Sequence, residues 1–77
     1  MLDSKALRLE MFKRSVSVPM LADAIGISIG SLYRRLNNEI VFTVREMQKC
    51  LEYLGLSDSE RDAIFFNQES VLSDTFG

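Results

Sequence analysis

The side chains that could do covalent or acid–base chemistry are nearly missing from this chain. It has no histidine and a single cysteine, Cys50, so neither an internal disulfide nor a Cys/His zinc site can form. No glycine-rich phosphate loop and no plausible carboxylate constellation stands out; no enzyme, no cofactor and no catalytic metal is therefore expected. What remains is recognition by hydrogen bonding. Arg34 carries a forked guanidinium able to hold two acceptors at once, such as O6 and N7 of guanine. Ser31, Tyr33 and Asn37 stand within one helical turn of it, while Arg35, Arg45 and Lys49 add charge of the kind that attracts phosphate.

Positioning these groups falls to residues 17–38, which read as two short helices joined by a tight turn. Leu21, Ala22 and Ile25 fall on one stripe of the first, and Leu32 and Leu36 on one stripe of the second, so both can share a core. Gly26 sits where the first must stop, a position cheapest for glycine when φ is positive. Ile27 plugs the corner. Ser17 is placed to cap the first helix, with Pro19 in its first turn where a missing N–H costs nothing, and Ser28 to cap the second. Ala22 is small enough to let the two helices cross closely. With Leu32 and Leu36 inward over a helix from 29 to 37, Gly30, Arg34 and Asn37 face outward, flanked by Ser31 and Tyr33. Ile29 either joins the edge of the core or offers its side chain to a thymine methyl, and Asn37 either caps the helix end or makes a contact there.

The pattern Leu-Ala-(x)2-Ile-Gly-Ile-Ser-(x)3-Leu-(x)3-Leu-Asn, within Val16 to Asn38, resembles the helix-turn-helix of the phage Cro and repressor family, and the flanking helices extend the resemblance to about Phe66. The resemblance implies an all-α, five-helix lambda-repressor-like domain over residues 1–67, with the helix-turn-helix formed by helices 2 and 3. Residues 68–77 would be a tail, flexible or in a subunit contact. It implies a cytoplasmic regulator of transcription, Cro-like or a truncated repressor, that binds double-stranded operator DNA as a homodimer with helix 3 in the major groove. The implied DNA-binding set is Ser17, Ser28, Ile29, Gly30, Ser31, Tyr33, Arg34, Arg35, Asn37, Asn38 and Arg45. At Val18 the family often has a glutamine that reaches phosphate; valine does not. That departure, with the apolar Ile29-Gly30 pair, motivates a second expectation, an antirepressor or modulator that binds a partner repressor protein. A third is an antitoxin, for which Val71 to Phe76 is the candidate toxin-binding segment.

Length and charge set limits on these expectations. With 77 residues the chain is one small domain held by packing alone. No apolar run approaches the ~18 residues that cross a bilayer. The net charge of −2 disfavours a polyanion partner until its distribution is considered. Residues 1–49 carry eight basic against five acidic side chains, whereas residues 50–77 carry Arg61 against six acidic ones. Salt screens exposed charges beyond roughly 8 Å, so a phosphate near the first half feels the acidic half weakly.

The remaining segments read as support. A first helix over 3–14 is capped by Asp3 or Ser4 and turns Leu7, Met11 and the stem of Arg14 inward; Lys13, Arg14 and Ser15 at its end either suit the helix dipole or face a phosphate. After the loop, Phe42 and one of Ile40 or Val41 fold back into the core. Thr43 to Glu46 forms a capping box for a fourth helix, with Val44, Met47, Leu51 and Leu54 inward, Cys50 as a buried or half-buried small apolar residue beside Leu51, and Gly55 at its end. Ser57 to Glu60 forms a second box, opening a fifth helix to about Asn67 with Ala63 or Ile64 and Phe65 or Phe66 inward.

Overall fold

The computed structural model describes residues 2–65 and, within them, five helices and no strand: α1 Ser4–Lys13, α2 Val18–Ile25, α3 Ile29–Leu36, α4 Val44–Leu54 and α5 Asp58–Phe65. None is long and apolar enough to cross a membrane. The predicted tail at 68–77, and the predicted end of α5 beyond Phe65, lie outside the described residues.

Every helix starts on a side chain that accepts an otherwise orphaned amide. Asp3 takes Ala6 N–H, Ser17 takes Met20 N–H, Ser28 takes Ser31 N–H, Thr43 takes Glu46 N–H and Ser57 takes Glu60 N–H. Both predicted capping boxes close: Thr43 N–H donates to Glu46 and Ser57 N–H to Glu60, at 3.1 and 2.8 Å.

The ends of α1 to α4 share a second rule. A residue with φ near +60 to +80° follows each helix: Ser15, Gly26, Asn38 and Gly55. The next amide then reaches back across the last turn, Val16 to Met11, Ile27 to Ala22, Glu39 to Arg34 and Leu56 to Leu51, at 2.9 to 3.0 Å. This is the Schellman arrangement, which satisfies carbonyls the helix leaves open. In three of the four the reaching residue is apolar, and Val16, Ile27 and Leu56 pack against the core as they turn.

The core joins Leu7 and Met11 of α1, Leu21, Ala22 and Ile25 of α2, Leu32 and Leu36 of α3, Met47, Cys50 and Leu54 of α4, and Ile64 and Phe65 of α5. α2 packs on both α3 and α4, and α1 packs on α5. Phe42 is wholly buried and meets Phe65 edge to face at 5.4 Å, an arrangement that suits the ring quadrupoles.

Several expectations change in detail. α3 stops at Leu36, with Asn37 as its C-cap. Neither Ile40 nor Val41 enters the core; of the three consecutive apolar residues only Phe42 does. The buried stripe of α4 runs through Cys50, while Val44 and Leu51 are half-buried, and in α5 Ala63 is exposed while Ile64 and Phe65 are inward. Leu2, which sequence periodicity did not single out, is buried at the seam between α3 and α5: its backbone is held by Asn38, and Asp3 N–H donates to the Ile64 carbonyl at 2.9 Å. Arg14 is tied inward, its Nε donating to the Leu54 carbonyl and its Nη1 to Glu10, and this guanidinium holds the Glu10 carboxyl below its usual value.

Candidate nucleic-acid interface

α3 has two faces of opposite character. Leu32 and Leu36 are buried, at 0% and 2% exposure, and hold the helix to α2. Steps of about 100° per residue put Gly30, Arg34 and Asn37 on the other side, with Tyr33 on its flank, and all four are exposed. Arg34 makes no ion pair among the described residues and presents a guanidinium with five N–H donors. Tyr33 beside it is 45% exposed. Ile29 shares the Leu32 and Leu36 stripe by angle but, at the first residue of α3, is 46% exposed, so it stands at the open rim between the core and this face. A side chain at Gly30 would meet nothing within 4 Å, so the backbone there is open to close approach.

The serines at the start of the helix are engaged locally. The Ser28 hydroxyl oxygen accepts the Ser31 amide at 3.1 Å and lies 3.0 Å from the Ser31 hydroxyl, which fixes both side chains at the first turn. Ser17 caps α2 and is itself exposed. Pro19 carries no N–H and the Met20 amide is taken by Ser17.

Three residues of the predicted DNA-binding set have other surroundings. Arg35 is turned toward α4, where its guanidinium forks onto the Glu46 carboxylate at 2.8 and 3.0 Å and also donates to the Ser31 carbonyl. Asn38 uses both ends of its amide on one residue: Oδ1 accepts Leu2 N–H at 3.0 Å and Nδ2 donates to the Leu2 carbonyl at 3.3 Å. Arg45 is exposed in the first turn of α4, next in the chain to Glu46. Asn37 satisfies the predicted C-capping role through its backbone, which leaves its side chain exposed.

Sequence reasoning anticipated Glu46 only as the capping-box partner of Thr43. Its second partner lies 11 residues away across a loop with no periodicity, so no local signal could find it. A basic and apolar feature on α1 also escaped: Leu9 and Phe12 are 51% and 81% exposed, and Phe12 edges a shallow groove lined by Arg8, Met11, Val16, Ser17 and Val18.

Chemically, the α3 face can donate and accept hydrogen bonds and offer apolar contact, but it brings no nucleophile and base together. The thiol of Cys50 is buried, and burial, reinforced by the nearby Glu46 charge, pushes its pKa up to about 12. Among the described residues no group of three or more His, Cys, Asp or Glu side chains could hold a metal ion. Comparison of the chain with protein-family models, with curated proteins and with solved structures found no match in any of the three.

Proposed function

We propose that this protein is a sequence-specific, double-stranded DNA-binding regulator of transcription of the Cro and repressor type, in which α2 and α3 form a lambda-repressor-like helix-turn-helix and α3 enters the major groove of an operator. The observation that carries this reading is Arg34: a guanidinium on the open face of a helix whose opposite face is locked into the core. That arrangement offers a rigid presentation of a bidentate donor, the chemistry that reads guanine in a groove wide enough to admit a helix. Ile29 adds an apolar contact suited to a thymine methyl, and Tyr33, Ser31 and Asn37 supply donors for flanking phosphates or base edges. A single domain with few basic residues makes modest contacts, so the reading includes a homodimer on half-sites about one DNA turn apart, acting in the cytoplasm.

The test is Arg34→Ala, assayed by gel shift at fixed salt on duplexes enriched from a random-sequence library by the wild-type chain. Loss of a bidentate base contact worth about 1–3 kcal/mol lowers affinity roughly 5- to 150-fold. The melting temperature stays at the wild-type value, because Arg34 is exposed and outside the buried core. Equal affinity of variant and wild type counts against this role for Arg34.

The second reading, a module that binds a partner repressor protein, draws on the apolar exposure of Ile29, Tyr33, Ile40 and Val41, each between 39% and 46%. DNA binding that steepens as salt falls supports the first reading; a salt-insensitive complex with a repressor, with no shift of DNA, supports the second.

A further inference from the structure

The carboxylate of Glu46 serves two helices at once. On α4 its Oε1 accepts the Thr43 amide at 3.1 Å, closing the capping box. Across the loop the same oxygen accepts Nε–H of Arg35 at 2.8 Å, and Oε2 accepts Nη2–H at 3.0 Å. Arg35 in turn donates from Nη1 to the Ser31 carbonyl, 3.0 Å away and one turn back on its own helix. Both side chains are largely withdrawn from water, at 12% and 14% exposure. Two parallel hydrogen bonds between planar groups fix rotation as well as distance, which a single ammonium contact does not. The result is a polar key between the last turn of α3 and the first turn of α4. The residue before Arg35 in the chain is Arg34, so whatever sets the roll of α3 at Arg35 also sets where Arg34 points.

We propose that Arg35 and Glu46 are positioning residues for the DNA-reading face of α3, so that an acidic side chain, Glu46, is required for DNA affinity. This rests on the DNA reading given above. Electrostatics alone gives the opposite expectation, since removing a negative charge favours binding to a polyanion. A direct phosphate contact by Arg35 differs as well. Lysine would then serve nearly as well as arginine, and losing the contact would reduce the slope of log affinity against log salt by about 1.

The experiment measures binding of the full chain to the duplex enriched by the wild type, by fluorescence anisotropy over a salt series. The variants are Glu46→Gln, Arg35→Lys and the double substitution. Glutamine still accepts the Thr43 amide, so α4 keeps its cap while the charged fork is lost. Each single variant is expected to bind about tenfold more weakly, and the double variant also about tenfold, because the two side chains act as one unit. The salt slope stays at the wild-type value in all three. Wild-type or tighter affinity of Glu46→Gln, full affinity of Arg35→Lys, or losses that multiply in the double variant would each overturn the positioning role. Should Glu46→Gln lose its helical circular dichroism, Arg35→Lys decides alone, since the two accounts give it opposite outcomes. A wild-type chain that enriches no duplex overturns the DNA reading itself, which is distinguishable from all of these.

Discussion

Gly26 and Gly30 allow the same substitution to be made twice with opposite expected sign. At neither position would an added methyl group meet an atom within 4 Å. Sterics therefore drop out, leaving backbone conformation to decide. Gly26 closes α2 at φ +79°, where an L-residue costs about 1–2 kcal/mol. Alanine also narrows the unfolded ensemble, which offsets about 0.4–1 kcal/mol of that. The remainder is a loss of roughly 1 kcal/mol for Gly26→Ala. Gly30 lies in the first turn of α3 with helical backbone, where alanine is favoured by about 0.5–1 kcal/mol. At about 4–8 °C per kcal/mol for a domain of this size, Gly26→Ala lowers the melting temperature by about 4–8 °C and Gly30→Ala raises it by about 2–8 °C. Thermal unfolding followed by far-ultraviolet circular dichroism reads both. Shifts of the same sign would refute the assignment of the turn and of the start of α3. The proposed DNA role adds a second readout: the methyl at position 30 stands on the outward face, so Gly30→Ala should bind duplex more weakly while being the more stable protein.

Two further substitutions probe the core. Ala22 is 1% exposed where α2 meets its neighbours; Ala22→Leu overpacks that contact at a cost of about 1–3 kcal/mol, and an unchanged melting temperature would show that the helices do not cross tightly there. The Cys50 thiol, at about 12 instead of 9.0, stays protonated in the folded chain while the unfolded chain ionises it. Stability should thus be full below the ordinary thiol value and fall as pH rises from there toward the folded one, more steeply than in Cys50→Ala. Alkylation by iodoacetamide should correspondingly need denaturant; rapid labelling of the native protein at mildly alkaline pH would contradict the burial.

What the sequence made legible is what depends on neighbours in the chain. The caps at Ser17, Ser28, Thr43 and Ser57 and the stops at Gly26 and Gly55 each rest on a bond spanning a few residues, and each was readable from residue type and spacing. The all-helical class followed from them. Where the chain offers two equivalent local solutions, sequence had no basis for choosing. The stripes Val44-Met47-Leu51-Leu54 and Met47-Cys50-Leu54 are both helical in spacing, and hydropathy favours leucine over cysteine, yet Cys50 is the more buried. Phe42 was readable as the inward residue of its loop and meets the ring of Phe65, but the expected companion, one of Ile40 or Val41, stays outside, and that loop has no periodicity to decide it. Contacts spanning the chain were least readable. Asn38 reaches Leu2 across 36 positions, and Arg35 looked like a surface charge until Glu46 stood opposite. For the candidate face, Gly30, Arg34 and Asn37 were legible as outward residues, and Tyr33 as a flanking one, from their offset to Leu32 and Leu36, whereas Ile29, read more readily as an edge of the core, is 46% exposed.

The hydrogen bond from Asp3 to Ile64 brings the first and last described turns side by side. The backbone thus comes close to describing a circle, and its opening between α5 and α1 is an accident of numbering as far as the interior is concerned. Joining the chain back to its start through residues 66–77, with new ends cut in the exposed stretch around Glu39, would leave the α1–α5 contact in place while reversing which half of the protein emerges first from the ribosome.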